Sequence, residues 1–377
     1  MKVCCYFPNK PFRYGSPSGD RTISEHLVDA LVKKGHSWVE ASSFRSRLFW
    51  LYPDRILTLP LETVAAIRRF LELRPDVWLT YHSYYKSPDL FGWWIGKLKK
   101  PDPAKYVIFQ GMYSTGPKKK ARFKAGYLIN SLALMCADLV FSNNLMDLPG
   151  LKRIVPGSKL IYLPPGIFPE EFAFSEQARS EVRLRYGIKD GDRVVLSVCR
   201  FRPGVKYESM KFLFASLRFV RTPFKLLLIG TGPMYGHVER LAGNLEKVNE
   251  KSYVILLGQI ARSELWRYYS AADLFAFPGI GESLGMVYLE AQACGLPVIA
   301  LKGPGVAQVI RDGETGFLVN GRDPEKYARV IESLLEDENL RKLMGESARE
   351  FVARERNAHK HYARFVDILE GLVENDS

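Results

Sequence analysis

The sequence has little sulfur, little histidine and no long hydrophobic run, and each shortage excludes something. Its five cysteines (Cys4, Cys5, Cys136, Cys199 and Cys294) are an odd number with no C-x-x-C spacing. That pattern builds neither a disulfide framework nor a thiolate metal site, and it reads as reduced core residues of a cytoplasmic protein. The six histidines form no metal-ligand cluster. His359 and His361 stand two apart on an expected helix and so point in different directions. The nearest approach to a membrane span, Tyr127 to Phe141, is 15 residues long and holds Asp138, too short for a spanning helix. The first residues, Met1-Lys-Val-Cys-Cys-Tyr-Phe7, read as a buried strand ahead of Pro8 and Pro11 rather than as a signal peptide.

What is present is the composition of a soluble globular protein: 377 residues, 47% hydrophobic and 25% charged, enough for two domains with separate cores. The net charge of +13 is unevenly spread. Residues 1–180 hold 26 Lys and Arg against 15 Asp and Glu, whereas the remainder holds 28 against 26. The excess clusters with aromatics in Phe44-Arg-Ser-Arg-Leu-Phe-Trp-Leu-Tyr52, in Trp93 to Lys100 and in Lys118 to Lys124. Three readings stand: a peripheral face on an anionic membrane surface, an electropositive cleft for anionic substrates, or an ordinary solvated basic surface. No nucleic-acid reader motif accompanies the charge.

Apolar strand runs alternate with amphipathic helices, the pattern of α/β domains with a parallel sheet covered on both faces. Strands are expected at Met1–Pro8, 77–81, 106–110, 139–142 and 160–163, with helices at 22–34, 63–73 and 123–136. A polar stretch after Phe172, running to Asp192, reads as an interdomain linker. The pattern restarts with strands at 193–199, 224–230, 254–257, 274–277 and 298–301 and helices at 209–219, 263–271 and 284–294. Amphipathic helices close the chain at 324–336, 339–358 and 359–373. The expected domains are 1–175 and 190–356, with 357–377 as a C-terminal helix that packs back on the first.

The densest chemistry lies between Phe277 and Ala300. Glu282 and Glu290 stand eight apart, framing a helix that begins past a glycine-bearing loop, where free N–H groups and a partial positive charge can seat phosphate. The plain alternative is a capping Glu282 and a solvated or salt-bridged Glu290. Against it, Leu284, Val287, Tyr288, Ala291 and Cys294 give the helix a packed face. The series Ala272-Asp-Leu-Phe-Ala-Phe-Pro278, Glu282-Ser-Leu-Gly285, Leu289-Glu-Ala-Gln-Ala-Cys-Gly-Leu-Pro297 and Asp312-Gly-Glu-Thr-Gly-Phe-Leu318 resembles the donor-site signature of the family 4 retaining glycosyltransferases, in order and spacing over roughly 50 residues.

The resemblance implies a GT-B architecture, two Rossmann-like domains facing an interdomain cleft. It also implies sugar transfer from a UDP- or GDP-linked donor to an acceptor hydroxyl, the acceptor a glycan or a lipid-linked molecule of envelope polysaccharide, lipopolysaccharide or glycolipid synthesis. Arg200 and Lys206 match the family's pair on the donor pyrophosphate, where fixed cations oppose the charge of a departing diphosphate. Glu282 is implied on the donor sugar and Glu290 on the ribose. Gly232, Ile260, Ser283, Leu284 and Gly285 are implied along the nucleotide. No metal or other cofactor is expected.

Gly15-Ser-Pro-Ser-Gly19 fits the place of the family's glycine loop beside the acceptor. The family often carries a histidine where this chain has Gln110. His82 is a substitute contact or a structural loop residue, and Gln308 stands where a glutamate is common. Asp190-Gly-Asp192 reads as a turn rather than a metal motif. Gly230-Thr-Gly232 is a weak dinucleotide fingerprint, the only support for a nicotinamide oxidoreductase. A non-catalytic sugar-nucleotide-binding scaffold is the alternative of another class.

Overall fold

The computed structural model describes residues 1–12, 19–98, 103–116, 120–249 and 252–374. The chain divides into two compact units, Met1–Pro164 with His359–Ser377, and Pro165–Ala358. Unit 1 holds β1 (Lys2–Tyr6), β2 (Ser37–Glu40), β3 (Val77–Tyr81), β4 (Lys105–Phe109), β5 (Leu139–Ser142) and β6 (Leu160–Tyr162) in the order β2-β1-β3-β4-β5-β6. All pairs are parallel. β1, β3, β4 and β5 are nearly continuous apolar runs because both faces of the sheet are covered. One face presents Cys4, Tyr6, Trp78, Tyr106, Ile108 and Val140 to helices Pro53–Leu73, Gly92–Ile95 and Lys124–Cys136. On the other face Phe109 and Phe141 meet Phe365 of helix Ala358–Glu374, with ring centroids 5.3 and 5.1 Å away.

Unit 2 holds β7 (Val194–Val198), β8 (Lys225–Ile229), β9 (Tyr253–Gly258), β10 (Leu274–Ala276), β11 (Val298–Leu301) and β12 (Gly316–Val319), ordered β12-β11-β10-β7-β8-β9 and again all parallel. From β7 the chain winds to β8 and β9 on one side and returns to β10, β11 and β12 on the other. The order therefore reverses between β7 and β10, and in such sheets ligands bind outside the carboxyl ends of the strands at that point. In unit 1 the reversal falls between β1 and β3.

Several elements differ from the sequence reading. The stretch expected as linker contains helix Glu176–Arg185, capped by Ser175, whose Oγ accepts from Ala178 N–H. This helix is bolted to unit 2 through Arg179 and Arg183, both paired with Asp273 at the head of β10. Arg183 is buried and also donates to the carbonyl of Ala271. A polar composition hid a helix whose anchors are long side chains reaching backbone oxygens. Helix Pro53–Leu73 starts ten residues before the expected Thr63 and carries Pro60 inside it. The helix expected at Ser209 begins at Val205, because Gly204 at φ 82° turns the chain into it. The edge strands β2 and β12 and helix Tyr235–Val248 went unread. Among the described residues, no helix is long and apolar enough to cross a membrane.

Candidate active site

The carboxyl ends of β7 and β10 carry the side chains singled out in the sequence. β7 ends in a loop holding Arg200, and helix Val205–Leu217 follows, so Lys206 sits in its first turn. From the β10 side the loop Pro278–Gly285 carries Glu282, and Lys206 Nζ pairs with a Glu282 carboxylate oxygen. The same ammonium lies 5.1 Å from the centroid of the Phe277 ring. A cation and a carboxylate thus meet at the topological switch point, each partly exposed to a ligand.

The loop bearing Glu282 is held from three directions. Ile280 N–H donates to Ser209 Oγ at 3.0 Å, fastening it to the helix that carries Lys206. Gln308 Nε2 donates to the Ser283 carbonyl at 2.6 Å, and Arg356 holds the Gln308 carbonyl in turn. Tyr288 O–H donates to the Phe277 carbonyl at 2.7 Å. Gln308, a departure from the family pattern, is therefore a brace for the loop. Gly285, at φ 69°, turns the chain into helix Met286–Ala293, with Ser283 exposed and Leu284 half-buried before it.

Gly232 lies on the loop after β8, at φ 149°, where an added Cβ would sit 2.5 Å from the Phe201 carbonyl oxygen. Phe201 N–H donates to the Thr231 carbonyl at 2.9 Å, so the Arg200 and Gly232 loops are zipped together. Gly230 N–H donates to the Gly258 carbonyl, which fixes the turn leading to Ile260. Ile260 lines a cavity of about 540 Å³ with Gln259, Tyr268 and Arg267.

Glu290 is placed differently from Glu282. It is 5% exposed on the inner side of its helix, one carboxylate oxygen taken by Arg262 Nη1 and the other by Tyr269 O–H at 3.0 Å. Arg262 also reaches Glu171 at 2.9 Å and lies over the Phe172 ring. Burial pushes the Glu290 carboxyl up from its ordinary range, and Arg262 and Tyr269 offset part of that push. Sequence reasoning missed this clamp. Arg262 stands 28 residues before Glu290 with no motif linking them.

In unit 1, His82 and Gln110 end the adjacent strands β3 and β4, with His82 N–H donating to the Phe109 carbonyl at 2.8 Å. Both adopt left-handed backbone angles, φ 63° and 59°, which cost non-glycine residues free energy and collect at functional sites. The His82 ring stacks on Tyr84. Gln110 is buried and its Oε1 has no partner among the described residues. Asp147 follows β5, its carboxyl raised to about 6 by burial and drawn back by His82 and Asn144. Gly19 is the first residue of helix Gly19–Lys33, and the rest of its glycine loop lies outside the described residues. Asp190-Gly-Asp192 is a turn: Asp192 Oδ2 accepts from Lys189 N–H at 2.9 Å. Among the described residues no group of three or more His, Cys, Asp or Glu is placed to hold a metal ion.

Residues 178–351 match the family model for glycosyl transferases group 1. This part of the chain belongs to the group 1 glycosyl transferases. Arg200, Lys206, Gly232, Ile260, Glu282 and Glu290 all fall inside the glycosyl transferase match. The chain is 33% identical over 227 residues to a GDP-mannose-dependent alpha-(1-6)-phosphatidylinositol monomannoside mannosyltransferase of Mycolicibacterium smegmatis, covering 58% of each chain. It is 29% identical over 268 residues to the alpha-monoglucosyldiacylglycerol synthase of Streptococcus pneumoniae, 70% of this chain and 54% of that one. The chain thus spans a little over half the length of the curated relatives it matches. In fold it resembles the sucrose-phosphate synthase of Thermosynechococcus elongatus, with a TM-score of 0.76 at 20% identity over the whole of both chains. The two parallel-sheet units have the GT-B fold.

Proposed function

We propose that this protein is a retaining glycosyltransferase that moves a hexosyl group from a nucleotide-diphosphate sugar to an acceptor hydroxyl. The observation that carries the reading is the pairing of Lys206 with Glu282 at the switch point of the matched domain. The bond from the anomeric carbon to the diphosphate oxygen breaks, and the departing diphosphate gathers negative charge. Lys206 and Arg200 would stabilise it, and the N–H groups before helix Met286–Ala293 would add a partial positive charge. Glu282 would accept from hydroxyls of the donor sugar, and Glu290, oriented by Arg262 and Tyr269, from the ribose. The acceptor oxygen would attack on the face the diphosphate leaves and give its proton to a leaving phosphate oxygen, which retains the anomeric configuration. With fixed cations doing this work, transfer is expected to survive a chelator.

The acceptor we propose is lipid-linked, met at an anionic membrane surface on the inner face of the cell membrane. Two observations support it: the basic excess of residues 1–180 and the glycolipids for which both relatives above are named, one as the molecule acted on and one as the product. His82, Gln110 and the helix opening at Gly19 would serve the acceptor. GDP-mannose is the first donor to assay, followed by UDP-sugars. Glu282→Ala and Lys206→Ala are each expected to lower turnover by about a hundredfold or more while leaving the unfolding midpoint near wild type. Wild-type turnover in either variant would refute the assignment. Nucleotide binding without transfer or donor hydrolysis, over a broad acceptor panel, would identify a scaffold instead.

A further inference from the structure

The helical layer on one face of unit 1 is apolar on both of its sides. Helix Pro53–Leu73 buries Ala66 and Phe70, with Leu59, Ile67 and Leu73 packed beside them. Its outer side should then be polar. Instead it presents Ile56, Leu57, Leu61, Val64 and Leu71, with Leu57 and Leu61 exposed by 76% and 74%. A second helix of this layer, Lys124–Cys136, repeats the pattern, with Ala133 and Leu134 in the same core and Leu128, Leu132 and Met135 outward. Both helices cover one face of the sheet, so their outer stripes face away from it on the same side. Trp50 joins them: its Nε1 donates to the Arg122 carbonyl at 2.8 Å, and a Cβ at Gly126 would strike its ring.

The fringe of this surface is basic. Lys120, Arg122 and Lys124 are exposed at the start of the second helix. Arg55 lies over the Tyr52 ring on the first. Of the acids nearby, Glu62 accepts from Ser42 O–H and Glu72 is paired with Arg68, which leaves Asp54 against these cations.

We propose that this face, centred on Leu57, Leu61, Val64, Leu128, Leu132 and Met135, seats the protein on an anionic lipid bilayer. An apolar stripe bordered by Lys and Arg fits the headgroup boundary, where aliphatic side chains enter the acyl layer and cations meet lipid phosphates. A second copy of the chain fits worse, since a two-fold contact would set the basic fringe against itself. The aromatic clusters that suggested a membrane face in the sequence are not its centre. Phe44 is buried and Trp93 and Trp94 pack against the core. The proposal deepens the lipid-acceptor reading above. It is tested by vesicle binding without donor or acceptor, so either can fail alone.

The experiment is flotation of the full chain with vesicles of phosphatidylcholine, alone or with phosphatidylglycerol. Wild type is expected to float with the anionic vesicles and to be released by salt. Leu57→Asp with Leu61→Asp should lower bound protein about tenfold or more, and Arg122→Glu with Lys124→Glu should remove the preference for anionic lipid. Leu184→Asp, at an exposed leucine of unit 2, should change nothing. All these sites are at the surface, and unchanged unfolding midpoints will confirm folding. Should the leucine pair not fold, the charge pair decides. Absence of wild-type flotation, or wild-type flotation of a folded leucine or charge pair, overturns the proposal. A wild-type dimer that the leucine pair converts to monomer, with flotation unchanged, overturns it in favour of a self-interface.

Discussion

The two glutamates that first mark this site do different physical work. Glu282 stands at the lip with Lys206, open to a ligand, while Glu290 is buried and clamped by Arg262 and Tyr269. For Glu290 the sign follows from burial. A carboxyl whose folded pKa lies above its unfolded value contributes most below the unfolded pKa, and that contribution is lost as pH rises through the folded pKa. Arg262 limits the loss. Arg262 is half-exposed, so Arg262→Gln is expected to cost about 1–3 kcal/mol at neutral pH, less than breaking a fully buried pair. The deficit against wild type should shrink as pH falls toward the unfolded carboxylate range, where Glu290 is protonated in both proteins. Denaturant titrations at a series of pH values would measure it, and a deficit independent of pH would show that Arg262 acts by packing alone. These roles were only partly legible in the sequence. Spacing locates Glu282, Glu290, Arg200 and Lys206, but a clamp across 28 residues leaves no local pattern.

At the scale of elements, long apolar runs and glycine-terminated helices were readable because local chemistry decides them. The parallel strands β3, β4, β7, β8 and β11 are buried on both faces and are therefore continuous in hydrophobicity. Short edge strands such as β2 and β12, and helix Glu176–Arg185, depend on tertiary partners and were not legible. The loop Pro278–Gly285 shows why such partners matter. Its course is set by Ser209, Gln308 and Tyr288, and by Gly305, where an added Cβ would lie 2.0 Å from the Glu282 carbonyl oxygen. Gly305→Ala must push that backbone aside. It is expected to lower kcat/KM by about a hundredfold, the scale of a 1 Å misplacement at a reacting centre. Steady-state kinetics would test this, and unchanged kinetics would mean that the loop relaxes without moving Glu282.

For the whole molecule, the chain's last helix is built into the unit that holds its first strand. Phe365 is fully buried against Phe109 and Phe141. Lys34 is paired with Asp367 and Glu370, and His36 with Glu370 at 2.8 Å. The exposed ion pairs of Lys34 add little on their own, so the ring packing dominates. Phe365→Ala should destabilise unit 1 by about 3–5 kcal/mol. Unit 2 has its own continuous core from Ile167 to Val352, so nucleotide binding in that unit should not require the Phe365 contact. Calorimetry with and without nucleotide separates the two effects, because a ligand raises only the transition of the unit that binds it. The expected record is a lowered unit 1 transition and a ligand-shifted unit 2 transition that the substitution leaves in place. A single transition moved by both would instead mean that the two cores unfold as one cooperative body.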